Sequence, residues 1–418
     1  MQLYRYQEKS VDALRGKKHL LIAGTGLGKG YISLEWARRT KKPHIIVVTQ
    51  ASKRDSHDFE NEAKELSLGW FSSLSSFVVL SWNGLAKWYK ENSATLDWAR
   101  CAFIFDECHR SKAGVSSAMG RAFLNIAKRT SVWTGYTATP GDKWIDFYGY
   151  FIATKFLRNK GQFLSDFCNI QTYKGYPEIV SYHSQNILQE WWGEITYFPD
   201  TADVEAQLPA ATHKVIEFNK PRNYHKVMQT RERLDTGEFI ETTMGLCHYL
   251  RQLCITPAKL EWIADFIEGL GERCVIFYNY TEEGEQIANA IKKVLPYGAK
   301  IWNINGKTHD IPTAETMGER DVVLAQWTSG SASLNLQFIN YWVSSSPCYS
   351  LTVSVQGRGR IRRIGQKKPQ FFYYLKCKNS IEEDIYACLK DKKDFSEKTW
   401  YKQQFGEKEL ARAVCKET

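Results

Sequence analysis

Seven residues from Ala23 to Lys29 (Ala-Gly-Thr-Gly-Leu-Gly-Lys) place three glycines and a lysine just ahead of a helical-looking stretch, Tyr31 to Arg39. Glycines let backbone N–H groups approach an anion, and a helix N-terminus adds more donors and a positive dipole end. With the Lys29 ammonium able to reach outer phosphates, Gly24, Thr25, Gly26, Leu27, Gly28, Lys29 and Gly30 read as a cradle for a nucleoside triphosphate. A flexible turn is the bland alternative. Further along, Asp106-Glu107-Cys108-His109 supplies two adjacent carboxylates. Asp106 is expected to hold Mg2+, and Glu107 to take the proton from an attacking water. Acidic residues at an ordinary helix start are the other reading. Between Gln356 and Gln366 come Arg358, Arg360, Arg362 and Arg363. On a helix of about residues 350–363, Gln356, Gly359, Arg360 and Arg363 fall at i, i+3, i+4 and i+7, on one face. Guanidinium groups held there suit the transition-state charge of a transferring phosphoryl group. A basic solvated helix or a phosphate-contact patch is the alternative.

Such groups need a rigid frame. Apolar runs predict strands at Leu20 to Ala23, Ile45 to Thr49, Phe77 to Leu80, Ala102 to Phe105 and Ser131 to Gly135 in the first half. In the second half they lie at Lys214 to Phe218, Cys274 to Tyr278, Lys300 to Ile304, Asp321 to Gln326 and Phe371 to Leu375. Their alternation with helical stretches predicts an α/β fold of two mostly parallel sheets with helices on both faces. In such a sheet ligands gather at the carboxyl ends of strands, which brings the cradle and the acidic pair side by side. Two prolines and a loss of periodicity within Pro199 to Thr212 put the boundary there, giving domains 1–205 and 206–418. The segment Trp144 to Gly193 fits neither sheet. Rich in aromatic and basic residues, including Lys155, Arg158 and Lys160, and ending in Trp191-Trp192, it reads as a helical protrusion or as a cap over the sheet edge.

In this order the pieces resemble helicase superfamily 2 with a DExH-type box, and within it the Swi/Snf-related ATPases. Leu3 to Gln7 looks like the adenine-reading Q motif, Ala23 to Lys29 like motif I, Val47 to Ser52 like motif Ia, Asp106 to His109 like motif II and Thr134 to Pro140 like motif III. Leu250 to Leu260 is similar to a stretch typical of the Swi/Snf group, Ser333 to Leu336 resembles motif V with Ser333 in place of the usual Gly, and Arg363 to Gln366 closes motif VI in that group's wording. The resemblance implies two tandem RecA-like domains, with ATP in the cleft between them, Gln7 on adenine, Mg2+ on Asp106, and Arg360 and Arg363 reaching in from the second domain. It implies that His109 and Gln356 couple the domains, and that Ser52, Lys53, Ser81, Thr328 and Ser329 touch a sugar-phosphate backbone without reading bases. For Ser81 and Ser329 an ordinary turn or N-cap role stands beside this. The protrusion would grip duplex. The chain departs from the pattern at Gly30, where the family has a metal-binding hydroxyl.

Read so, the chain is an ATP- and Mg2+-dependent motor on DNA, duplex rather than single-stranded. A strand-separating DNA or RNA helicase is the runner-up, and a clamp with little ATP turnover, motivated by Gly30, the third reading. Composition agrees. The 418 residues suit two domains of about 200 residues each, and 43% hydrophobic with 24% charged residues describe a globular protein. The net charge of +10 favours a polyanionic partner and no membrane partner is expected. Ten cysteines without a C-x-x-C pair read as free thiols of a reducing compartment, so the expected location is cytoplasmic, in a host's cytoplasm if the source is viral, or nuclear.

Overall fold

The computed structural model describes all residues except 1, 17, 25, 142, 174–175, 203–207, 309, 331–333, 364–365, 392–394 and 406–418, and all their side chains except those of 173, 176, 398, 401 and 402. The chain divides into two compact units, Met1–Glu205 and Ala206–Thr418.

The first unit contains β1 (Leu20–Ile22), β2 (His44–Thr49), β3 (Ser76–Ser81), β4 (Cys101–Asp106), β5 (Trp133–Thr137), β6 (Cys168–Tyr173), β7 (Tyr176–Tyr182) and β8 (Thr196–Tyr197). All but β6 and β7 join one sheet in the order β3-β2-β4-β5-β1-β8, and every neighbouring pair is parallel. Its central strands are apolar without alternation because both faces are covered. Ile46, Val48, Phe103 and Phe105 share a core with Phe123 and Trp133, while Ile45, Val47, Ala102 and Ile104 are as deeply buried on the opposite face.

The second unit contains β9 (Ala211–Phe218), β10 (Cys274–Tyr278), β11 (Ile301–Ile304), β12 (Val322–Gln326), β13 (Tyr341–Ser344) and β14 (Gln370–Cys377). They run parallel in the order β11-β12-β10-β13-β14-β9. Along β10, Val275 and Phe277 pack with Trp342 and Phe372, and Cys274 and Ile276 with Ile287 and Leu324, so this sheet too is covered on both sides. Sequence periodicity misses β8 and β13. The first is two residues long, and the second is held by partners on both sides, β10 and β14.

The segment 144–193 is not helical throughout. Helices Tyr148–Ala153, Lys160–Phe167 and Gln185–Ile195 flank the antiparallel pair β6 and β7. Its tryptophan pair turns inward: Trp192 stacks on Phe147 with ring centroids 4.3 Å apart, and Trp191 on Phe156 at 5.1 Å. Lys155 and Arg158 remain exposed.

The stretch Leu250 to Leu260 also serves the interior. The buried Lys259 donates to both carboxylate oxygens of the buried Glu382 at 2.7 Å and to the carbonyl of Ser345 at 3.2 Å. The Arg251 guanidinium lies 4.2 Å from the centre of the Tyr349 ring. Removing one member of a buried pair strands the other charge. Lys259→Met should therefore lower the urea-unfolding free energy of the second unit's transition in the full chain by about 3–5 kcal/mol, and adding Glu382→Leu should recover most of the loss. An unchanged midpoint in the single variant would refute this role.

Candidate nucleotide-binding site

Helix α1 (Arg5–Arg15) and helix α2 (Lys29–Thr40) enclose the glycine-rich loop. Gly26 and Gly28 take positive φ of 79° and 65°, the left-handed region that glycine enters without strain. At Gly28 a Cβ would also lie 2.5 Å from Gln7 Nε2. Gln7 is buried. Its Oε1 accepts from the Tyr4 N–H at 2.9 Å, and its Nε2 donates to the Leu27 carbonyl at 3.4 Å, where the Tyr6 hydroxyl also donates at 2.7 Å. Gln7 thus caps α1 and braces the loop. Lys29 Nζ donates to the carbonyls of Ala23 at 3.1 Å and Gly24 at 2.9 Å, so the ammonium lies over the loop where phosphate is expected. Thr25 lies outside the described residues.

Two carboxylates follow β4, at the carboxyl end of the same sheet. Asp106 is fully buried, and its Oδ2 accepts from Thr49 Oγ1 at 2.6 Å and from Lys53 Nζ at 2.8 Å. Its Oδ1 is buried with no hydrogen-bond partner among the described residues. A buried carboxylate oxygen in that state calls for a reason, and a metal ion supplies one, so the donor set fits Mg2+. Glu107 adopts φ 50°, a strained value for a residue with a side chain, which sends its carboxylate back toward β5. There Thr137 Oγ1 donates to Glu107 Oε2 at 3.3 Å, and His109 Nδ1 lies 2.9 Å from Thr137 Oγ1 and 3.3 Å from Glu107 Oε2. Burial pushes the Glu107 carboxyl up, but the hydrogen bond from His109 and the ammonium groups of Lys29 and Lys53 outweigh it and hold the group at about 2. It is therefore ionised across the working range and able to accept from water. Thr137 and Glu107, which His109 meets, lie in the same unit as His109 itself.

The residues expected on nucleic acid are placed differently from one another. Ser52 is exposed on helix α3 (Ala51–Asp55), but Lys53 on the same helix turns its ammonium to Asp106. Ser81 is buried and caps the helix Trp82–Asn92, accepting from the Gly84 N–H at 3.3 Å, which is the N-cap reading. In the second unit, Thr328 is exposed and Ser329 half-buried on the short helix Trp327–Gly330, directly after β12. Ser333 lies outside the described residues.

The arginine helix is shorter than expected. It spans Leu351–Arg358, with Gln356 buried in it, and Arg360 and Arg363 lie in the turns that follow, so the single helical face through all four positions does not exist. Glycines at 357 and 359 weaken the helix. At Gly357 a Cβ would lie 2.6 Å from the Trp327 ring, and the Arg360 carbonyl accepts from the Leu336 N–H at 3.2 Å. The two arginines converge all the same. Both Nη1 atoms point to the Leu334 carbonyl, at 3.3 Å from Arg360 and 3.5 Å from Arg363.

Residues 1–142, which hold the cradle and the acidic pair, match the family model described as "Type III restriction enzyme, res subunit". An uncharacterised ATP-dependent helicase of Mycoplasma pneumoniae is 24% identical over 272 residues, covering 60% of this chain and 26% of that protein. The chain resembles ATP-dependent helicases. Its fold, two tandem RecA-like domains, matches that of the ATP-dependent Type ISP restriction-modification enzyme LlaBIII, solved bound to DNA, with a TM-score of 0.53 and 13% identity. That match covers 90% of this chain and 28% of the enzyme, so the chain spans about a quarter of the length of either relative.

Thr49, Thr137 and Glu62 belong to the same surroundings and were not singled out by sequence. Thr49 and Thr137 end β2 and β5, the two strands that flank β4, a position that could have marked them. For Glu62, in mid-helix, no local signal exists.

Proposed function

We propose that the chain is an ATP-hydrolysing motor acting on DNA. The observation that carries this is the grouping at one sheet end of the glycine loop with Lys29, the buried Asp106, whose Oδ1 has no hydrogen-bond partner among the described residues, and the ionised Glu107. In this reading the loop and Lys29 hold the phosphates, Asp106 holds Mg2+, and Glu107 orients the attacking water and receives its proton. Bound Mg2+ supplies charge neutralisation on the phosphate oxygens. Arg360 and Arg363 answer the developing charge, and Gln356 takes the coupling role that the resemblance implies. Gln7 keeps the loop in shape beside the adenine, and His109 sets the orientation of Glu107.

The finer assignment is a Swi/Snf-like translocase that tracks on duplex. Its support is the wording of Leu250 to Leu260 and of Arg363 to Gln366, together with a net charge of +10 that favours phosphate contacts over base readout. Ser52, Thr328 and Ser329 are the contact candidates at strand ends, and a reducing cytoplasm or nucleus is the compartment. ATP hydrolysis measured with no polynucleotide, duplex DNA, single-stranded DNA and RNA should respond most to duplex, and the response should fade as salt rises because those contacts release counterions. The motor should displace a third strand or a bound protein and leave a tailed duplex paired. Efficient unwinding of that duplex, or a response to RNA alone, would establish strand separation instead. Absence of hydrolysis with every polymer would establish the clamp.

A further inference from the structure

Gly30 is the second residue of α2, at the position where a phosphate loop ordinarily carries the hydroxyl that ligates Mg2+. That space is not vacant. A Cβ built on Gly30 would lie 1.9 Å from Oε2 of Glu62, 2.8 Å from its Cδ and 3.0 Å from its Oε1. Glu62 Oε2 thus stands little more than a bond length from the missing Cβ, within the space that a threonine or serine side chain would need. The carboxylate comes from helix α4 (Asp58–Leu66), anchored by the buried Phe59, Ala63 and Leu66. It meets a first turn that has no acidic residue of its own and whose N-cap, Gly28, supplies no side-chain cap.

A carboxylate at a helix N-terminus is favourable by itself, so a structural role for Glu62 has to be weighed against a ligand role. Asp106 decides between them. Its Oδ1 is buried without a hydrogen-bond partner among the described residues, while the Lys53 ammonium on its Oδ2 also lies in the field of Glu62 and Glu107. A carboxylate oxygen without a partner among the described residues, a second carboxylate beside Gly30 and an ammonium that feels both therefore belong to the same surroundings. Mg2+ prefers hard oxygen ligands, and a carboxylate serves as well as a hydroxyl.

We propose that Glu62 supplies the Mg2+ ligand that Gly30 cannot, so that the first-turn ligand of the phosphate loop is delivered from α4 and Gly30 is the space its carboxylate occupies. This rests on the nucleotide site proposed above. The test is the affinity of the full chain for a fluorescent ADP analogue, measured in EDTA and across a Mg2+ series. Glu62→Gln keeps the shape and removes the charge. It should leave binding in EDTA unchanged and weaken apparent Mg2+ affinity by about tenfold to a hundredfold, as loss of a metal-site partner does. Gly30→Thr/Glu62→Ala, which restores the hydroxyl and clears the clash, should recover Mg2+ dependence. Should the double variant fail to fold, the isosteric single variant decides alone. Mg2+ dependence equal to wild type in Glu62→Gln overturns the proposal. So does tighter ADP binding with and without Mg2+ alike, since the carboxylate would then be competing with phosphate. Wild type that binds no ADP in any condition overturns the nucleotide site itself, a result distinct from either.

Discussion

Lys29→Ala and Glu107→Gln should each lower nucleic-acid-stimulated ATP turnover by about a thousandfold or more, and they should part company in binding. The Lys29 ammonium lies on the carbonyls of Ala23 and Gly24, over the loop that would hold the phosphates, so its loss weakens ATP affinity as well as turnover. Glu107 faces Thr137 and His109 instead, and the amide keeps the shape while removing an ionised acceptor. Glu107→Gln should therefore bind ATP with wild-type affinity and fail to hydrolyse it. Equilibrium binding of a fluorescent nucleotide beside a phosphate-release assay separates the two. Near-normal hydrolysis in either variant would remove that residue from the site.

Arg360→Ala and Arg363→Ala should cost roughly a thousandfold or more in turnover while DNA affinity without nucleotide stays close to wild type. Each Nη1 reaches Leu334 by a long contact, 3.3 Å and 3.5 Å, to a neutral carbonyl. A guanidinium–phosphate contact, in which both partners are charged, is stronger than one to a neutral oxygen. Because the two residues lie in turns beyond the helix, each should act through its own side chain, and a thermal melt should show little change in either variant. Collapse of DNA binding with turnover intact would mean that these arginines form a phosphate-contact patch on the polymer.

Much of the frame was legible in the residues alone. Strand β10 was read at its observed limits and β4 to within a residue at each end, because a strand buried on both faces must be an unbroken apolar run and these are bounded by polar groups. The glycine loop and the acidic pair were legible for a related reason: local chemistry at the end of such a run has few other uses. The arginine region shows where local reasoning stops. A helical period drawn through 356–363 ignored the Trp327 ring against Gly357 and the Leu336 N–H that takes the Arg360 carbonyl, both supplied by segments more than twenty residues away.

Sequence by itself determined the α/β class, the order of the pieces and where the glycine loop and the acidic pair fall, since these follow from apolar runs and from groups adjacent in the chain. Only the tertiary structure decided which groups face one another. Lys53, expected on DNA, neutralises Asp106; Trp191 and Trp192 pack against a core; and Glu62 enters the space that Gly30 leaves. The physical reason is common to all three. A side chain's partner is set by which helix packs against which strand end, and neither charge nor periodicity along the chain encodes that approach until the sheet has brought the segments together.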